Sequence, residues 1–246
     1  MARLAVVSDV HGNLSALRAV VDGLRARPVD EVLLGGDLVQ GGRQPAETLD
    51  LIAELGWPAV LGNADLAVLE LAAGQPLSSA EVADETLRRG LRWTADRLRP
   101  AQLAHLRRLP HALRRPLTAG GELVLVHATP WSVEDVVLPD APEATARRML
   151  AEAGASVLAY GHIHHAYQRR LPEGLLASVG AVSLSNDRDP RPAYSVFDLG
   201  AEVRVEVRRV AYDAAAEVAA LEASGYPTRP GRAAQLLSGG AWPVRA

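Results

Sequence analysis

The chain has 246 residues, 48% hydrophobic and 22% charged, enough for one substantial domain or at most two small ones. Its formal net charge of −3 gives no electrostatic footprint for large nucleic acids or anionic membranes. No run approaches the roughly 20 apolar residues of a membrane span, and the lack of cysteine removes disulfides and thiolate ligands.

The opening Met-Ala-Arg-Leu-Ala-Val-Val-Ser-Asp turns polar too soon for a secretory signal, so a cytoplasmic location is expected. Lysine is absent, which excludes Schiff-base chemistry and leaves arginine as the cationic side chain.

Leu4 to Val7 is a continuous apolar run, the signature of a strand covered on both faces. Asn13 can cap a helix in which Leu14, Leu17, Val20, Val21 and Leu24 recur at helical spacing. Glu31 to Leu34 predicts a second buried strand, Pro45 to Leu55 a helix, and Trp57 to Leu61 a third strand. This β-α-β-α-β rhythm implies a layered α/β fold with right-handed crossovers.

Ala80 to Arg108 has a helical pattern, with Pro100 opening a second helix, and reads as a helical insertion at about 80–108. Strands are expected at Leu123 to Val126, Ser156 to Tyr160, Ala166 to Leu171, Leu175 to Val179, Tyr194 to Leu199 and Val203 to Val210. Alternation in the later ones suggests an antiparallel part exposed on one side. Helices are expected at Ala144 to Ala153, Asp213 to Ala223 and Arg232 to Leu237. With no repeat or linker in view, one domain over 1–246 is the economical organisation.

Five short motifs follow strand ends in order: Asp9-Val-His11, Gly36-Asp37, Gly62-Asn63-Ala64-Asp65, Val-His127, and Gly161-His162-Ile-His164. Functional groups in open α/β sheets gather beyond the carboxyl ends of strands, so these scattered residues can converge. Asp9, His11, Asp37, Asn63, His127, His162 and His164 form a ligand set for two divalent ions. The carboxylate, imidazole and amide mixture suits Mn²⁺ first, with Fe, Zn²⁺, Ni²⁺ or Co²⁺ as alternatives. Two dications about 4 Å apart repel by roughly 17 kcal/mol at an effective dielectric of ~20, which a bridging carboxylate counters. Asp37 is the candidate bridge.

The ordered motifs resemble the calcineurin-like metallophosphoesterase superfamily, in particular bacterial phosphodiesterase-type members whose first motif reads Asp-x-His-Gly-Asn. The resemblance implies a four-layer α/β/β/α double β-sandwich flanked by helices. It further implies that Asp9, His11, Asp37 and His164 hold one metal, and Asp37, Asn63, His127 and His162 the other. A metal-bridging hydroxide would then attack phosphorus in line, with Asp37, Asn63 and His127 as the catalytic set. One position departs from the pattern. Many members carry His after the Asn of the third motif, where it can protonate the leaving group, and here the residue is Ala64. General-acid help is worth typically 10²–10⁴-fold, so esters with strongly basic leaving groups are disfavoured.

The expected activity is hydrolysis of small phosphodiester or nucleotide-type esters. The alternative is a non-catalytic metal-binding or scaffold protein of the same fold. Arg188 and Arg191 follow a strand expected near the site and are candidate phosphate contacts, and Asn13 is a cap with a secondary role toward substrate. Arg88, Arg89, Arg92 and Arg97 read as a solvated helix face, and Trp93 and Trp131 as packing residues. Asp65 either orients a neighbour or caps a helix. Large nucleic acid and membrane partners are not expected, and a homo-oligomer is left open.

Overall fold

The computed structural model describes residues 2–78 and 84–240. Two mixed sheets face each other. The first contains β1 (Ala2–Val7), β2 (Glu31–Leu34), β8 (Ala193–Leu199) and β9 (Val203–Arg209), in the order β2-β1-β8-β9. The second contains β3 (Ala112–Pro116), β4 (Glu122–Val126), β5 (Val157–Tyr160), β6 (Tyr167–Leu171) and β7 (Gly174–Ser178), in the order β3-β4-β5-β7-β6.

Side-chain alternation sorts the strands' residues between two cores. From β1, Leu4 and Val6 point between the sheets and meet Leu123, Leu125, Val157, Ala159, Leu175 and Phe197. Ala5 and Val7 point the other way, onto the apolar stripe of α1 (Leu14–Ala26) and onto α2 (Pro45–Leu55). On the far side, Val124, Val126, Leu158 and Tyr160 pack against α6 (Glu143–Ala153). The result is the expected α/β/β/α layering. Strands exposed on one side read as alternating, as β9 does, whereas β8 is buried along nearly its whole length.

Three expectations need correction. Trp57 to Leu61 makes a single parallel bridge, Leu34 to Ala59, rather than a ladder. Pro58 has no N–H to donate, so the segment is held to β2 only by Leu34 N–H to Pro58 O and Val60 N–H to Leu34 O. The helical region starts before the predicted insertion, with α3 (Asn63–Ala72), followed by α4 (Glu85–Ala95) and α5 (Pro100–Leu106). The predicted start at Ala80 lies outside the described residues. Strand β3, at the sheet edge, was not anticipated; its sequence Ala-Leu-Arg-Arg-Pro lacks the apolar run of a covered strand.

Two short helices, α7 (Ala214–Ala223) and α8 (Arg232–Ser238), close the chain. Val218, Leu221, Tyr226 and Leu236 form a small core with Leu184 and, from α4, Trp93. Trp93 meets Tyr226 edge-on at 5.1 Å, and the Arg97 guanidinium covers its ring at 3.6 Å. Trp131 is likewise covered, by Arg148 at 3.8 Å. Both tryptophans therefore act in packing. Among the described residues no helix is long and apolar enough to cross a membrane.

Candidate metal centre

β1 and β2 run parallel, as do β4 and β5, so each pair brings two motif-bearing loops to one edge of its sheet. The first two loops are zipped together by Asp9 N–H to Gly36 O, His11 N–H to Asp37 O and Gly12 N–H to Leu38 O. Gly161 N–H to His127 O joins the other pair, and the His162 N–H donates to both oxygens of Asp9 at 3.2 Å, tying one sheet's loops to the other's.

The backbone here is held in an uncommon conformation. Asp9, His11, Asp37, His162 and His164 all have φ between 52° and 65°. A non-glycine residue in the left-handed region costs of order 1–3 kcal/mol and persists only where its surroundings dictate it. Glycine is required where these loops touch. A Cβ on Gly62 would lie 2.1 Å from Asp37 Oδ1, and one on Gly161 would lie 2.6 Å from Asp9 Oδ2.

Each of four imidazoles has one ring nitrogen against a main-chain carbonyl. His11 Nδ1 donates to Gln40 O (2.5 Å), His127 Nδ1 to Gly35 O (2.7 Å), His164 Nδ1 to Leu184 O (2.8 Å) and His162 Nε2 to Glu134 O (3.1 Å). A carbonyl only accepts, so the proton sits on that nitrogen and the other presents a lone pair. Metal-binding histidines are oriented in this manner.

Those lone pairs converge. His11 Nε2 is 3.0 Å from His164 Nε2, which is 3.4 Å from Asp9 Oδ1. Ligand atoms of Asp9, His11, Asp37 and His164 all lie within 4.8 Å of one another, close enough to hold one cation. Beside them, Asn63 Oδ1 is 2.9 Å from His127 Nε2 and 3.1 Å from His162 Nδ1. Asp37 stands between the two groups. Its Oδ2 is 3.6 Å from His11 Nε2, while its Oδ1 is 3.5 Å from His127 Nε2 and accepts the Ala64 N–H at 2.9 Å.

The electrostatics match a site built around positive charge. Burial and the neighbouring Asp9 push the Asp37 carboxyl up to about 7. Burial, with His164 adding to it, pushes His11 down to about 3, and burial with His127 pushes His162 down to about 4. Burial lowers His127 too. For Asp9, burial is outweighed by His164 and the other imidazoles, and the carboxyl falls below its ordinary value. For His164, burial is outweighed by Asp9 and the imidazole rises. Two buried acids and four oriented imidazoles, three of them held neutral, are a donor set that fits divalent cations.

Asp65 has both roles weighed from the sequence. Its carboxylate accepts from Leu38 and Val39 N–H, holding the Asp37 loop, and from Gly62 N–H at the start of α3. The expected substrate contacts lie elsewhere. Asn13 is buried, accepting from Ala16 N–H and donating to Ser183 Oγ. Arg191 is paired with Asp189 at 2.6 Å on the surface, and Arg188 is exposed. None of the three lines the cavity of about 310 Å³ that opens onto His11, Asp37, Asn63, His162 and His164.

Its lining includes two groups of side chains the sequence did not single out: the apolar Leu77, Leu87 and Leu91, and the polar Arg229, Arg232 and Gln235. Gln235 Nε2 donates to Leu184 O, the same carbonyl that orients His164, and Gln40, whose carbonyl orients His11, donates through Nε2 to Tyr226 Oη. The C-terminal segment thus supports two of the four imidazoles.

Comparison with known proteins agrees with this fold. A metallophosphoesterase from Sphaerobacter thermophilus superposes with a TM-score of 0.79 at 25% identity, covering 97% of this chain and 99% of that one. A hypothetical protein from Pyrococcus horikoshii shares the fold, with a TM-score of 0.83 at 18% identity over 98% and 100% of the two chains. An uncharacterized protein of Methanocaldococcus jannaschii is 26% identical over 227 residues, 85% of this chain and 88% of that protein. A stretch of 71 residues, 28% of this chain, is 44% identical to 26% of a symmetrical bis(5'-nucleosyl)-tetraphosphatase from Methylococcus capsulatus. The calcineurin-like phosphoesterase superfamily domain matches residues 2–202, and the chain belongs to that superfamily.

Proposed function

We propose that this protein is a dinuclear metal-dependent hydrolase of small phosphodiester or nucleotide-type esters, with Mn²⁺ as its leading metal. Asp9, His11, Asp37 and His164 would hold one ion, and Asp37, Asn63, His127 and His162 the other. The observation that carries the proposal is the way four imidazoles, each fixed through one nitrogen to a main-chain carbonyl, turn the other nitrogen toward shared carboxylate and amide oxygens. The division of Asp37's two oxygens between the two groups supports its bridging role.

A pair of divalent ions supplies Lewis acidity toward a phosphoryl oxygen and lowers the pKa of water from 15.7 toward ~7. The chain's own part is to fix the ligands and shape the space for the ester. Its strained loops fix the carboxylates and imidazoles before any substrate arrives. Ala64 lines the cavity without an ionisable group, so nothing at that position donates a proton to the leaving oxygen. Esters with good leaving groups are therefore favoured. The short match to a bis(5'-nucleosyl)-tetraphosphatase fits a nucleotide-type substrate, as does the cavity, which lies at the small end of ligand sites.

The test is purified protein assayed with bis-(p-nitrophenyl) phosphate and p-nitrophenyl phosphate, with Mn²⁺ and after chelation. Turnover of the diester that vanishes on chelation and returns with Mn²⁺ is expected. Absence of metal-dependent turnover of either ester contradicts the proposal.

A further inference from the structure

The cavity over the metal centre carries positive charge that the ligand set does not use. A methyl group placed on Gly41 would lie 3.2 Å from His11 Nδ1 and 3.5 Å from Arg232 Nη1, so imidazole and guanidinium flank the same small space. Arg229 donates to Asp84 at 2.8 Å. No carboxylate among the described residues pairs with Arg232, although its side chain is only partly exposed. Burial lowers its pKa from the ordinary arginine value, yet a guanidinium in a protein keeps its proton. Withdrawing a cation from water without an acid beside it is unfavourable, and its position facing the cavity points to an anion supplied from outside.

Other residues that line the cavity differ in kind. Leu77, Leu87 and Leu91 offer an apolar surface and no donor for phosphate. A simple monoanionic diester would be served by the metal centre and would leave Arg232 without a partner. An ester with a second phosphate would satisfy it, because a guanidinium offers paired, parallel donors matched to phosphate oxygens.

We propose that Arg232, flanked by Arg229, forms an anion subsite beside the metal centre that receives a second phosphate, so that the preferred substrates are nucleotide-sized and contain a diphosphate or longer unit. The leucine surface takes the apolar face of the nucleoside. This deepens the hydrolase proposal and rests on it. The subsite is contributed by a segment beyond residues 2–202, the part that matches the superfamily domain.

Calorimetric titration of the Mn²⁺-loaded protein, in excess Mn²⁺, with adenosine 5'-(α,β-methylene)diphosphate and with adenosine 5'-monophosphate tests this. Wild type is expected to bind the diphosphate analogue at least 10-fold more tightly. Arg232→Gln should reduce that preference to about 2-fold, and Arg232→Lys, which keeps the charge, should retain most of it. Equal binding of the two nucleotides by wild type overturns the inference, as does a preference that survives in Arg232→Gln. Elemental analysis separates the two levels of failure. A protein that takes up no Mn²⁺ defeats the hydrolase proposal, whereas a loaded, active protein without diphosphate preference defeats the subsite alone.

Discussion

The strand-end loops and the outer wall of the cavity follow opposite rules. In the loops, each residue is fixed several times over: positive φ, a main-chain hydrogen bond and a facing ligand act on Asp9, His11, Asp37, His162 and His164 together. In the wall, Arg229, Arg232 and Gln235 lie on or beside a two-turn helix attached through a small core and a few side-chain hydrogen bonds. The loops are set by backbone conformation and main-chain bonds together, whereas the wall depends on side-chain packing and a few side-chain bonds.

The sharpest way to break this contrast is to attack the loops. Asp37→Asn should lower metal-dependent diester turnover by about 10³-fold or more, ~4 kcal/mol in barrier, because both proposed ion positions would share that carboxylate. A near-wild-type rate would contradict the bridging assignment. Next in size is Gly62→Ala, whose added carbon would lie 2.1 Å from Asp37 Oδ1 and 2.2 Å from Asp37 N. It should destabilise the fold by about 1–3 kcal/mol and weaken Mn²⁺ uptake at least tenfold, measured by thermal unfolding and by titration. An unaltered affinity would show that the loops have slack.

Acid should act through the same residues. With its carboxyl pushed up to about 7, Asp37 binds a proton in the metal-free protein below neutral pH, and that proton must leave before a cation enters. Apparent Mn²⁺ affinity should therefore fall by up to about tenfold per unit as pH drops below 7, and level off above it. A flat profile from pH 5 to 8 would contradict the assignment. The smallest expected effect belongs to the cavity rather than the loops. Ala64→His, which places an imidazole in the lining of the cavity, should raise turnover of phenyl esters more than of p-nitrophenyl esters, by roughly an order of magnitude. Equal gains on both would argue against a missing proton donor.

How much could be read in the sequence follows the same division. Leu4 to Val7 and Glu31 to Leu34 are legible because a doubly covered strand must be continuously apolar, and the helices they alternate with carry clear apolar stripes. The seven polar side chains that gather at the site are legible because cation chemistry restricts both type and spacing. Helix α3 was legible only through Asp65, which the sequence left open between orienting a neighbour and capping a helix, and which does both. Arg188 and Arg191 stand near a motif-bearing strand in sequence, yet one is exposed and the other turns outward to Asp189. Arg232 was legible as the start of a closing helix but not as a site residue, because only tertiary packing brings it over Gly41 beside His11.

Everything turns on whether one carboxylate joins two cations. Anomalous scattering at the manganese edge, from crystals grown in Mn²⁺, tests this directly. Two peaks are predicted, one among Asp9, His11, Asp37 and His164 and the other among Asp37, Asn63, His127 and His162, with Asp37 touching both. A single peak, or a pair that Asp37 does not bridge, would contradict it.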